Sequence, residues 1–150
     1  MADLAVGDVA PDFDVRDTQG RRQCLADLVR TNEVILAFFP MAFTPGCTRE
    51  LTSYREHAAD AIARGAHVIA ISGDGEGRQE RFRKALGADY SFVADPRAEV
   101  IKAYGAKLPL VNYAKRMTFV IGRDKRIKMI EKGPDAKDPT RALATCSMGS

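Results

Sequence analysis

The chain has no apolar run long enough to cross a bilayer. The longest, Val34 to Phe39, is far shorter than the roughly 20 residues a membrane-spanning helix needs. The amino terminus, Met-Ala-Asp-Leu-Ala-Val-Gly-Asp, has no basic stretch leading into an apolar one, so no secretory or transit signal is read and a cytoplasmic location is expected. There is no Cys-x-x-Cys and no His-x-x-x-His, and His57 and His67 fall on different expected elements, which leaves metal binding unsupported. The excess of 23 Lys and Arg over 20 Asp and Glu is only +3, too small to imply nucleic acid. No repeat, low-complexity segment or linker divides the chain, so residues 1–150 are read as one domain. Three cysteines, Cys24, Cys47 and Cys146, are an odd and widely spaced set. They suit a reducing compartment with at least one free thiol rather than a disulfide framework.

What is present is a core-forming pattern. With 45% hydrophobic residues in 150, the chain can bury roughly 70% of its unfolded surface without staples. Val34 to Phe39, ended by Pro40, and Ala66 to Ile71, ended by Ser72-Gly73, read as buried parallel strands. Between them Leu51, Tyr54, Ala58, Ala61 and Ile62 trace the apolar face of a helix ending near Gly65, which completes a βαβ unit. Further helices are expected over 77–86, stopped by Gly87, and over 97–104, stopped by Gly105. Met117 to Ile121 and Arg126 to Ile130 flank a tight turn and read as an antiparallel hairpin, so the sheet is mixed. Asp138-Pro139 opens a last helix running to about Cys146. Asp12 to Arg16 and Arg21 to Leu25 form another hairpin near the amino terminus. The class is α/β.

The chemistry-bearing stretch is the crossing from the first strand into the long helix, Phe38-Phe39-Pro40-Met41-Ala42-Phe43-Thr44-Pro45-Gly46-Cys47-Thr48-Arg49-Glu50. Thr44 fits an N-cap and Pro45 the first helical position, which puts Cys47 in the first turn among unpaired backbone N–H groups. A thiol with its usual pKa near 8.5 is about 3% thiolate at pH 7. A helix end and a nearby cation that lowered the pKa to ~6 would make it about 90% thiolate.

Pro40, Thr44 and Cys47 have the Pro-x-x-x-Thr-x-x-Cys arrangement of peroxiredoxins. The surrounding Phe-Phe-Pro-x-x-Phe-Thr-Pro-Gly-Cys-Thr-x-Glu resembles their bacterioferritin-comigratory, or Q-type, branch. The likeness extends to Gly7–Phe13, Ile71–Asp74 and Arg116–Ile121. It implies a thioredoxin fold with a mixed central sheet flanked by helices and an added amino-terminal hairpin. It also implies a thiol-dependent peroxidase, an antioxidant oxidoreductase of cell redox homeostasis, that reduces hydrogen peroxide and organic hydroperoxides with no metal, haem or flavin cofactor. Cys47 matches the peroxidatic cysteine, which becomes a sulfenic acid. Thr44 matches the hydroxyl that contacts thiolate and peroxide, Arg116 the arginine that activates both, and Pro40 the proline that shields the cysteine backbone. Glu50 matches a glutamate that could orient Arg116. Arg49, the rival cation, points elsewhere on the helix and is read as solvated.

The family's common resolving position, five residues after the peroxidatic cysteine, is Thr52 here. Cys24 and Cys146 remain as candidates, each also readable as a packed thiol, and a one-cysteine cycle with an external thiol such as thioredoxin or glutaredoxin is expected. A peroxide sensor or redox-regulated binding protein would use the same first step and is the alternative. Monomer and homodimer are both compatible with the family, and hydroperoxide preference rests on packing around Met41, Phe43 and 108–111. Three other signals read blandly. Gly73-Asp74-Gly75-Glu76-Gly77 lacks the third fingerprint glycine and reads as a flexible connection. Arg78, Arg81, Arg83 and Lys84, interleaved with Glu80, read as a solvated face rather than a nucleic-acid surface. Thr44 stands where a dithiol reductase would have its first cysteine.

Overall fold

A computed structural model describes residues 4–43, 48–49, 51–52, 63, 65–88 and 90–133. Its elements in chain order are β1 (Asp14–Arg16), β2 (Arg22–Cys24), α1 (Leu25–Leu28), β3 (Glu33–Phe38), β4 (Ala66–Ser72), α2 (Glu76–Leu86), β5 (Ser91–Ala94), α3 (Glu99–Ala103), β6 (Met117–Ile121) and β7 (Ile127–Lys132). β1 and β2 pair by themselves, and the other five strands form one sheet in the order β5-β4-β3-β6-β7. β3 runs parallel to β4, which is parallel to β5, while β6 and β7 are antiparallel additions. The expected mixed sheet is present.

All six residues of β3 are buried, because the sheet is covered on both faces. Side chains alternate along the strand, so Ile35, Ala37 and Phe39 join one core with Leu51, Phe82 and Leu86. Val34, Leu36 and Phe38 join the other with Phe13, Leu25, Ile101 and Tyr104. Phe38 packs between the rings of Tyr104 and Phe119, with centroids 5.6 and 5.7 Å away. Each side chain of this size, fully withdrawn from water, stabilises by roughly 2–3 kcal/mol.

The amino-terminal segment crosses the second face like a strap. At one edge the Ala10 N–H donates to Lys125 O and the Ile127 N–H to Asp8 O, both at 2.9 Å; at the other the Thr18 N–H donates to Phe92 O at 2.8 Å. Between these points Phe13 and Leu25 are buried. The hairpin is held in shape by the buried Asp17, whose Oδ1 accepts the N–H groups of Gln19 and Arg21 at 2.9 Å. Inside it, His67 Nε2 shares a 2.8 Å hydrogen bond with Gln23 Oε1.

Several boundaries differ from the sequence reading. β5 was not anticipated, since four residues without a longer apolar run give little periodicity, and α1 is too short to register. The hairpin strands are shorter than 12–16 and 21–25. α3 begins at Glu99, not at 97: Ala98 adopts a left-handed backbone with φ 56°, and Asp95 supplies the start by accepting the Glu99 and Ile101 N–H groups at 3.0 and 2.8 Å. β7 runs on to Lys132, displaced by a bulge at Val120/Ile121. The helix expected from Leu51 to Ile62 lies largely outside the described residues, although Thr48, Arg49, Leu51, Thr52 and Ala63 are helical. The helix expected from Asp138 to Cys146 lies wholly outside them.

Burial pushes the pKa of His67 below its usual value, and the Arg21 charge pushes it the same way against Asp17. The unfolded chain therefore takes up a proton near pH 6.5 that the folded chain resists. Urea stability should be at its plateau above that pH and fall as the pH drops toward the lower folded value. His67→Gln should remove this part of the slope, and the urea midpoint at pH 7.5 and 5.5 measures it.

Candidate active site

β3 ends against β4, where the Phe39 N–H donates to Ile71 O at 3.0 Å, and half-buried Pro40 follows with no N–H to continue the ladder. The next turn is clamped from outside the strand. The Ala42 N–H donates to Asp74 Oδ2 at 2.7 Å, and Arg78 Nη2 donates to Ala42 O at 3.0 Å. Arg78 also pairs with Asp74, its Nε 3.2 Å from Oδ1. Asp74 is only 6% exposed and accepts the Ser72 hydroxyl at 2.8 Å. The Ser72 oxygen in turn accepts Gln79 Nε2 at 2.7 Å, and that amide also reaches Val93 O at 2.8 Å. A buried carboxylate is tolerated because its oxygens are bonded and a cation stands beside it.

Phe43 follows with a left-handed φ of 67° and is 47% exposed. Its ring lies 5.0 Å from that of Phe82, and the Arg78 guanidinium sits 5.5 Å from its centroid, a cation–π arrangement. Thr44 and Cys47 lie outside the described residues, as does Glu50. Beyond them Leu51 is fully buried in the same core as Ala42 and Phe39, and its carbonyl accepts the Tyr90 hydroxyl at 2.6 Å. Ala42 and Leu51, before and after Cys47 in the sequence, thus pack on the same face of the sheet.

Arg116 reaches this end of the sheet from the other side. The pairing of Phe38 with Met117 sets Arg116, one residue before β6, across from Phe39 and next to Pro40. It is half-buried, whereas Arg49 is exposed, as the solvated role expected for it requires. A guanidinium at the start of one strand, beside the exit of its neighbour into a helix, favours an anion there and offers donors to it. The loop before Arg116 approaches the Asp74 loop closely: a Cβ on Gly73 would collide with Asn112 O. Leu110, 99% exposed, and Val111 project from that loop.

The β3–β6 register sets Pro40 and Arg116 at the same end of the sheet, and the structure adds a group the sequence reading did not single out, namely Asp74, Ser72 and Gln79. The 73–77 stretch, expected to be a flexible connection, is bonded through Asp74. Arg78, expected on a solvated face with Arg81, Arg83 and Lys84, instead holds Ala42, and Arg83 pairs with Glu80 at 2.6 Å. That hydrogen bond is the main cause holding the Glu80 carboxyl below its usual pKa. The available signal was an Asp directly after a strand end and four residues before an Arg on the following helix. Among the described residues no group of His, Cys, Asp and Glu is placed to hold a metal ion, and no helix is long and apolar enough to cross a membrane.

A family model described as the AhpC/TSA family matches residues 6–130. A Mycobacterium tuberculosis protein described as a peroxiredoxin is 37% identical over 130 residues, which cover 83% of this chain and 82% of that one. Among solved structures, peroxidoxin BcpB from the same organism superimposes with a TM-score of 0.87 at 32% identity, covering 95% of this chain and 96% of its own. A mutant of a Xylella fastidiosa peroxiredoxin Q, at 20% identity, shares the fold with a TM-score of 0.84 over 99% of this chain and 98% of its own.

Removing the Asp74 carboxylate leaves the Ala42 N–H and Arg78 without their acceptor. Asp74→Ala should cost about 2–3 kcal/mol of urea stability, the usual range for hydrogen bonds to a charged group, and speed hydrogen exchange at the Ala42 amide. Asp74→Asn, which keeps one acceptor oxygen, should cost less.

Proposed function

The chain belongs to the AhpC/TSA family, in its Q-type peroxiredoxin branch, and is a thiol-dependent peroxidase that takes a peroxide and a thiol reductant; we propose that Cys47 is its peroxidatic residue and Arg116 the cation that activates it. One observation carries this reading. The β3–β6 register ends with Phe38 opposite Met117, so Arg116 precedes β6 at the sheet end from which the chain leads through Pro40 and Ala42 toward Cys47.

The Cys47 thiolate attacks the terminal peroxide oxygen, the O–O bond breaks, and the alkoxide or hydroxide leaves and takes up a proton. Sulfur is oxidised by two electrons to the sulfenic acid, and the peroxide is reduced to an alcohol or water. Arg116, the Thr44 hydroxyl and the Cys47 backbone N–H supply donors where charge builds on oxygen. Pro40 closes the strand side of the cysteine to water, and Glu50 orients Arg116. An external thiolate then attacks the sulfenic sulfur, water leaves, and a second thiol releases the resulting mixed disulfide.

The one-cysteine form of this cycle is supported by where Cys24 sits. It belongs to β2, in the hairpin that covers the second face of the sheet, whereas Ala42 and Leu51, which flank Cys47, pack on the first. Cys146 lies outside the described residues, and Thr52 occupies the family's common resolving position. The reductant is a small cytoplasmic thiol carrier such as thioredoxin or glutaredoxin, acting where thiols stay reduced on a monomer or a homodimer.

Fully reduced protein given one equivalent of hydrogen peroxide should gain one oxygen on the Cys47 peptide by mass spectrometry. Loss of two hydrogens with a link to Cys24 or Cys146 would overturn the one-cysteine cycle, and an unmodified Cys47 would overturn its peroxidatic role. Sustained peroxide consumption with a thiol donor is expected, which a sensor would not show. Arg116→Lys keeps the charge but loses the planar fork; stopped-flow oxidation of Cys47 should slow about 100-fold, the scale of losing one aimed donor.

A further inference from the structure

Arg78 stands in the first turn of α2, where a cation opposes the helix dipole, so its place there does nothing for the helix itself. Its partly exposed side chain reaches instead to the turn that follows β3. Arg78 Nη2 donates to Ala42 O at 3.0 Å, and Arg78 Nε lies 3.2 Å from Asp74 Oδ1. The other oxygen of that carboxylate accepts the Ala42 N–H at 2.7 Å. One ion pair therefore bonds both backbone groups of a single residue. The guanidinium gives a separate nitrogen to each partner, a division that its planar fork allows and a lysine ammonium does not reproduce.

The next residue shows what this grip fixes. Phe43 has a left-handed φ of 67°, uncommon for a residue with a side chain, and such a conformation persists only where its surroundings over-determine it. Those surroundings lie on one face of α2. Arg78 and Phe82, one helical turn apart, both meet the Phe43 ring, with the guanidinium 5.5 Å and the Phe82 ring centroid 5.0 Å from its centre. Phe82 is buried in the first core, and Gln79 bonds α2 to Ser72 and Val93, so Arg78 extends from a helix seated on the sheet. Thr44 follows Phe43 directly, and Cys47 comes one Pro-Gly pair later.

We propose that Arg78 is a positioning residue for peroxide reduction: by holding the Ala42 carbonyl and the Phe43 ring, it fixes the left-handed turn from which Thr44 and Cys47 continue. The inference rests on the assignment of Cys47 as the peroxidatic residue. Arg78 acts through the backbone rather than on the reacting atoms. Its loss should misplace the Thr44 hydroxyl and the Cys47 N–H as donors to the peroxide, while leaving the thiol open to reagents that need no such donors.

The test uses the full chain with Arg78→Ala and Arg78→Lys, each read by two kinds of reaction at Cys47. One is stopped-flow oxidation by hydrogen peroxide and by cumene hydroperoxide, and the other is alkylation by iodoacetamide, which involves no peroxide oxygen. Arg78→Ala should slow both oxidations about tenfold and alkylation less than about twofold, within the range that misplacing a site from a distance can cost. Arg78→Lys keeps a cation beside the buried Asp74, so it decides the matter if Arg78→Ala is too unstable to assay. It should still slow both peroxides by about threefold or more, because one nitrogen cannot serve Asp74 and Ala42 as two do. If Arg78→Lys oxidises as fast as the parent, Arg78 serves only as a counter-charge to Asp74. If it slows oxidation and alkylation alike, the whole segment is disturbed, and if it slows cumene hydroperoxide alone, Arg78 contacts the bulky substrate. Each of these three results overturns the positioning role while the parent chain is still oxidised at Cys47. If peroxide leaves Cys47 of the parent unmodified, the underlying assignment fails and this inference fails with it.

Discussion

β3 is hydrogen-bonded along both edges, parallel to β4 from Glu33 to Phe38 and antiparallel to β6 from Val34 to Phe38. A strand bound on both sides cannot slip by one residue without sending its whole buried set to the wrong face. Both faces here are cores, so the register is doubly penalised against error. That constraint carries everything at the carboxyl end of the strand. Pro40 leaves the sheet at a fixed place, Met117 is opposite Phe38, and Arg116 lies beside the point of departure.

What β3 delivers, Asp74 keeps. The turn after Pro40 leaves backbone groups that the ladder no longer serves, and buried backbone groups need partners. Asp74 takes the Ala42 N–H and Arg78 takes the Ala42 carbonyl. Asp74 comes from the β4–α2 connection and Arg78 from the first turn of α2, so the parallel crossover that builds the sheet also brings the clamp into place. The polar chain continues through Ser72 and Gln79 to Val93 in β5. Three parallel strands are thereby linked to the geometry of one turn.

The division of labour suits the chemistry. Displacement at a peroxide oxygen asks for an anionic sulfur, donors for the departing oxygen and little water. The proposed site answers these demands from the carboxyl end of a rigid sheet. The second face is given over to stability, with the strap of Phe13 and Leu25 and the ring cluster of Phe38, Tyr104 and Phe119. Cys24 sits with that strap, at the end of β2.

Much of this was legible in the residues alone. The apolar runs at 34–39 and 66–71, the turn at Gly122–Lys125 and the glycine stops were read correctly in kind, because unbroken apolar stretches and punctuating glycines act locally. The motif from Pro40 to Glu50 carried the resemblance to peroxiredoxins, and the family it pointed to is shown. β5 and the start of α3 were not legible, since the first is defined by its pairing with β4 and the second by Asp95 reaching forward from a loop. Asp74 looked like a loop residue and Arg78 like an ordinary charge. The buried Asp74 carboxylate is bonded to the Ala42 N–H, 32 positions away along the chain, and the partly exposed Arg78 to the Ala42 carbonyl, 36 positions away. A sequence records which groups are available and what each prefers locally. Only the tertiary fold, by closing contacts across those separations, decides which charges leave water and which face of the sheet they share.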